Sequence, residues 1–147
     1  MNDRILVPLD DSEPARSALS EAFELFPSAT IVVLNVIDPS EFNSGVQGNL
    51  AGSVYEAKQE LAEDLFAEAR TAASEHDVSI ETVLETGDPV DLILDVAETE
   101  DIDHIVMGSH GRSGLSRIIV GSVAEAVIRE APVSVTVSRR NPSTESE

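Results

Sequence analysis

Two short stretches and a dipeptide carry the residue types from which a site could be built. Pro8-Leu9-Asp10-Asp11-Ser12 follows one apolar run, Met107-Gly108-Ser109-His110-Gly111-Arg112-Ser113-Gly114 follows another, and Gly121-Ser122 comes shortly after. Gly108, Gly111 and Gly114 allow the main chain to approach a ligand closely and to turn through positive φ. Gly121-Ser122 opens a helix, whose first amides lack acceptors within the helix and lie at the positive end of its dipole. Amides and hydroxyls so arranged cradle a phosphate, and Arg112 and Arg117 would add positive charge locally. The pattern is neither the lysine-bearing phosphate loop nor G-x-G-x-x-G. The plainer reading is that the glycines only tighten a loop and Ser122 only caps a helix.

Asp10 is either a ligand contact at a strand end or a helix cap. His110, between glycines, could titrate, touch phosphate or make a local hydrogen bond. His76 and His104 have no partner at ligand spacing and read as structural or exposed. Catalysis finds little support: there is no G-x-S-x-G elbow, and no serine has an evident histidine and carboxylate beside it.

These loops need a scaffold whose strand ends bring them together. Arg4 to Leu9 and Thr30 to Ile37 are nearly continuous apolar runs, as expected of strands buried on both faces. Val78 to Thr86, Ile102 to Met107 and Val133 to Val137 read as three more strands. Between them, Ala15 to Phe26, Val54 to Ala72, Val90 to Ala97 and Gly121 to Arg129 recur at helical spacing. Such alternation predicts an α/β fold, an open five-stranded parallel sheet with helices on both faces. Ligands in these sheets sit at the carboxyl ends of the strands, where the winding reverses; if the first and fourth strands are neighbours, the two stretches meet there. The connection from Asp38 to Gly52 is long and polar, either a cover or a tolerated surface insertion. The reading is one domain over 1–140 and a frayed acidic tail over 141–147.

Charge narrows the possible partners. Nine basic residues against 28 acidic ones leave −19, and Lys58 is the only lysine. A nucleic-acid backbone would be repelled, so no DNA or RNA partner is expected. This composition reads as a halophilic adaptation, since at about 1 M salt the screening length is only about 3 Å. Cysteine is absent, which excludes disulfides, thiolate catalysis and cysteine-ligated metals. No apolar run reaches membrane-spanning length and the start lacks a signal-peptide pattern, so a cytoplasmic protein without membrane association is expected.

Gly108-x-x-Gly111, nine residues, then Gly121-Ser122 matches the nucleotide-binding pattern of the universal stress proteins. Ile5 to Glu13, Leu34-Asn35-Val36-Ile37, Ile105 to Gly111, and Gly121 to Glu125 with Ala131-Pro132-Val133 resemble other stretches of that family. The resemblance spans Met1 to Arg139 and is weakest from Asp38 to Gly52. It implies a Rossmann-like sheet ordered 3-2-1-4-5, an ATP-binding stress-response module and a homodimer. Carried over by position, Asp10 would contact the ribose and a phosphate-bound Mg ion, with Pro8 and Leu9 shaping the adenine side. Val36 would offer an adenine contact, and Met107, Gly108, His110, Gly111, Gly121, Ser122 and Val123 would line the ribose and triphosphate.

In that order Val133 to Ser138 is an edge strand, suited to antiparallel pairing with a second copy. The resemblance implies ATP, or another adenine nucleotide; with no positioned base or arginine finger identifiable in the sequence, the nucleotide is expected to be read rather than consumed, and Asp10 near a metal-bound triphosphate would support at most slow hydrolysis. Two rival readings stay open. One is an adenylyl-transferring or ATP-hydrolysing enzyme of the same fold group; the other is a nucleotide-free dimeric module that docks on an unknown protein partner.

Overall fold

A computed structural model describes residues 3–42, 49–109 and 121–138. Along the chain these form β1 (Arg4–Pro8), α1 (Glu13–Leu25), β2 (Thr30–Ile37), a single 3-10 turn (Pro39–Phe42), α2 (Asn49–Glu75), β3 (Ser79–Thr86), α3 (Pro89–Thr99), β4 (His104–Gly108), α4 (Ser122–Glu130) and β5 (Ser134–Ser138). The strands make one parallel sheet in the order β3-β2-β1-β4-β5. This is the expected α/β architecture and strand order.

Why β1 and β2 read as continuous apolar runs is clear from the packing. Successive side chains point to opposite faces of the sheet, and both faces are covered. Ile5, Val7, Ile31 and Val33 pack with Ala18, Phe23, Leu65 and Ala69 of α1 and α2. Leu6, Val32 and Leu34 pack with Ile93, Val96 and Val127 of α3 and α4. Phe23 is only 2% exposed, and burying a side chain of that size contributes roughly 1.5–3 kcal/mol.

Local chemistry sets the helix starts. Ser12 is the N-cap of α1, its hydroxyl accepting from the Ala15 amide at 3.2 Å, with Pro14 in the first turn. Asp88 caps α3 in the same way through the Asp91 amide, 3.0 Å away. Just before it, Gly87 has φ 153°, a backbone that side-chain-bearing residues rarely adopt.

Several boundaries differ from the sequence reading: β1 stops at Pro8, β4 runs on to Gly108, and β5 is shifted by one residue to Ser134–Ser138. Val78 and Ile102 lie ahead of their strands because their amides bond back to the Ala73 and Ala97 carbonyls, closing α2 and α3. The left-handed residues that permit this are Asp77 (φ 56°) and Asp101 (φ 54°), at positions where glycine is the usual signal. The polar connection is also shorter than expected. Pro39–Phe42 is helical and α2 already begins at Asn49, so Gly52 lies inside a helix of 27 residues. A single glycine there costs about 1 kcal/mol relative to alanine, which a long packed helix absorbs. Residues 43–48 and the expected tail over 141–147 lie outside the described residues.

At the amino end of the sheet Arg4 ties three elements together. Its guanidinium donates to the Glu100 carbonyl beyond α3 at 2.7 Å and pairs with Glu81 of β3 at 3.1 Å, while its amide donates to Asp103 at 2.8 Å. The opposite, carboxyl end is left to the loops.

Candidate functional site

A cavity of about 420 Å³ opens at the carboxyl ends of β2, β1 and β4. Its size falls within the range of small-molecule sites, and it lies where the chain reverses its winding on either side of β1. Pro8, Leu9, Asp10, Asp11 and Ser12 line it after β1, and Asn35 to Asp38 at the end of β2. Met107 and Gly108 of β4 face Gly121, Ser122 and Val123 at the start of α4. Helix α2 contributes Lys58, Leu61 and Leu65, and α3 contributes Pro89 and Ile93.

Asp10 is not a helix cap. Its Oδ1 accepts from the Ser12 amide at 2.9 Å, so it shapes the turn that presents Ser12 as the cap of α1. The second carboxylate oxygen is not required by that turn, and Asp10 as a whole is half-buried on the cavity wall.

The glycine at 108 answers to packing as well as to any ligand. A β-carbon there would sit 2.8 Å from the carbonyl carbon of Pro14, so the absence of a side chain is what lets α1 start against β4. Ser109 continues the chain, its amide donating to Ser138 at 3.0 Å and its carbonyl accepting from Gly121 at 2.6 Å. This stitches the start of α4 to the tips of β4 and β5.

Gly121, with φ −64° and ψ 161°, is the N-cap of α4 and offers no side-chain acceptor. Ser122 is therefore the first helical residue and not the cap. The amides of Ser122 and Val123, in the first turn, have no acceptor within the helix and belong to residues on the cavity wall. Such amides suit an anion, whereas the Asp10, Asp11 and Asp38 side of the cavity does not.

Pro8, Leu9, Asp10, Val36, Met107, Gly108, Gly121, Ser122 and Val123, singled out from the sequence, all line this one cavity. His110, Gly111 and Arg112, like Gly114 and Arg117, lie outside the described residues. Sequence reasoning missed Asn35, Asp38, Lys58 and Leu61. Leu61 belongs to the apolar spacing from Val54 to Ala72, yet it is 36% exposed and lines the cavity. Asn35 did carry a signal, a polar residue interrupting an apolar strand.

Residues 1–139 match the model of the Universal stress protein family. This chain belongs to that family. It is 35% identical over 160 residues to the universal stress protein MJ0577 of Methanocaldococcus jannaschii, covering 97% of this chain and 98% of that one. The solved structure of MJ0577 superimposes with a TM-score of 0.80, at 31% identity and covering 93% and 95% of the two chains. Universal stress protein UspA from Lactobacillus plantarum gives a TM-score of 0.75 at 27% identity, covering 92% and 96%. A family protein from Arabidopsis thaliana solved with AMP bound gives 0.65 at 20% identity, covering 99% and 97%, a likeness of fold.

The described histidines of this universal stress protein stand apart from the cavity lining. His104 Nε2 lies 2.7 Å from the Thr136 hydroxyl, its ring is 5.0 Å from that of Phe26, and burial pulls its pKa below the usual value. His76 bonds through Nδ1 to the Ala72 carbonyl at 2.9 Å and stacks near Phe23. Among the described residues no group of three or more His, Asp or Glu is placed to hold a metal, and no helix is long and apolar enough to cross a membrane.

Proposed function

We propose that this protein binds an adenine nucleotide, ATP foremost, in the cavity at the sheet's carboxyl end, and acts as a nucleotide-dependent module in a stress response. The observation that carries this reading is one cavity lined both by the helix-start residues Ser122 and Val123 and by apolar side chains of β2 and α2, Val36, Leu61 and Leu65. Phosphates suit the first and a flat base the second. Membership of the universal stress protein family supports the assignment. The relative solved with AMP supports it at the level of fold.

Asp10 fits a Mg ion carried in on the phosphates, since Mg is held by one or two carboxylates together with substrate oxygens. When bound, that ion would offset charge between the triphosphate and the Asp10 and Asp11 side of the cavity. The protein itself would bind and orient the nucleotide and signal through it. Such signalling requires the ligand to prefer one conformation or assembly over another. The assembly we favour is a homodimer of cytoplasmic copies paired through β5, which bonds to β4 on one side only in this chain. The −19 charge favours a high-salt cytoplasm as its setting.

Calorimetry with Mg-ATP in concentrated salt tests the reading. A saturable heat, together with release of an adenine compound when protein purified without added nucleotide is denatured, is expected. No heat at millimolar nucleotide would favour the nucleotide-free docking module. Multiple-turnover release of phosphate or pyrophosphate faster than minutes would favour the enzyme.

A further inference from the structure

Helix α2 is built in two parts. From Ala62 onward it is packed, with Ala62, Leu65, Phe66, Ala69 and Ala73 all buried in the core. From Gly52 to Leu61 no side chain is buried. Gly52 itself has no packing reason to be glycine, because a β-carbon there would have nothing within 4 Å. It is a weak point placed in the part of the helix that tertiary contacts support least, and a helical segment without such contacts is marginal in water. A tie from this part to the sheet is the hydrogen bond between the Tyr55 hydroxyl and Thr86 Oγ1, 3.1 Å long and exposed to water. These turns of α2 therefore open at lower cost than the rest of the helix.

The same turns carry part of the cavity wall. Lys58, Leu61 and Leu65 are spaced by three and four residues, so they share one helix face, and all three line the cavity. Leu61 is apolar yet 36% exposed, and Lys58 is the only basic residue among the described lining, which also holds Asp10, Asp11 and Asp38. An anionic ligand with an apolar ring gains from Lys58 and Leu61 only while these turns are wound, and that is a difference in affinity between two conformations. We propose that Gly52 to Leu61 is a clamp: a bound nucleotide holds these turns helical, and their unwinding at Gly52 releases it. Opening of the helix then sets how fast the ligand leaves. This inference rests on the nucleotide reading above and adds to it a route of exit.

Hydrogen exchange of the full chain, read by mass spectrometry with and without saturating Mg-ATP, tests the clamp. Without nucleotide the amides of residues 53–61 are expected to exchange at least about tenfold faster than those of residues 65–75, and Mg-ATP should slow the first group at least about tenfold. Two variants outside the cavity lining move the clamp in opposite directions. Gly52→Ala fits without a clash and should slow both the exchange of residues 53–61 and the dissociation of Mg-ATP about fivefold, the glycine-to-alanine difference within a helix. Tyr55→Phe removes the hydroxyl bonded to Thr86 and should speed both about two- to tenfold. A stopped-flow chase reads the dissociation. Equal exchange in the two parts of α2, no slowing by Mg-ATP that calorimetry shows to be bound, or dissociation unmoved in either variant would each overturn the clamp while leaving nucleotide binding in place. No binding by calorimetry would overturn the functional reading, and the clamp with it.

Discussion

Gly108 and Pro14 meet so closely that a β-carbon on the glycine would lie 2.8 Å from the proline carbonyl carbon and 2.9 Å from its oxygen. A residue marked by the family pattern as part of a nucleotide loop is thus also a packing contact between β4 and the first turn of α1. The two roles have different experimental signatures.

Gly108→Ala should destabilise the fold by about 1–3 kcal/mol, the usual cost of forcing extra atoms into a packed interior whose neighbour is backbone. Urea unfolding without nucleotide reads this directly; an unchanged midpoint would mean that α1 moves aside freely.

Gly121→Val separates binding from folding more cleanly. Gly121 has φ −64°, which valine can adopt, so the expected loss of stability is about 1 kcal/mol, that of a poor N-cap residue. Affinity for ATP should fall at least about tenfold as the side chain crowds the first-turn amides. Retained affinity in calorimetry would remove α4 from the phosphate site.

Asp10→Asn keeps an oxygen for the Ser12 amide, 2.9 Å from Oδ1 in the native turn, and removes the charge. Unfolding should move by no more than about 0.5 kcal/mol. The Mg dependence of ATP affinity should shrink, and titrations with and without Mg measure it.

His104 gives a pH dependence of definite sign. Its pKa is lowered by burial, so the unfolded chain takes up a proton at a higher pH than the folded one. The His104 contribution to stability is whole above the unfolded value of about 6.5. It declines as pH falls through that value and levels off below the folded pKa. His104→Gln should show a smaller stability loss between about pH 7.5 and pH 5.5 than the wild type, by paired thermal melts. Equal losses would place the dependence on the carboxylates.

Stability should also rise with salt. At −19 the carboxylates repel one another, and raising NaCl from about 0.1 M to 1 M shortens the screening length from about 10 Å to about 3 Å. A thermal midpoint that climbs over this range is expected; a flat or falling one contradicts the halophilic reading.

How much of this was visible in the residues follows from what periodicity encodes. Apolar runs and helical stripes mark strands and helices buried by the pattern itself, so β2 has the boundaries read from Thr30 and Ile37. The helix ends at Asp77 and Asp101 were less readable because aspartates occupy left-handed positions that glycine usually announces. For the cavity, strand-end residues such as Asp10 and Val36 were accessible to reasoning from topology. Lys58 and Leu61 were not, because which turn of a long helix overhangs the sheet depends on tertiary packing. Contacts such as that between Tyr55 and Thr86 at 3.1 Å set this placement, and no local spacing encodes them.

The strands all run the same way, and β1 enters the sheet at Arg4, the end that the guanidinium fastens to β3 and α3. An immobilising tether joined ahead of Asp3 would therefore anchor the molecule by its base and leave the cleft's mouth turned toward the bulk solution. Surface-based binding measurements are best built on that terminus, since the β5 end emerges beside the cleft.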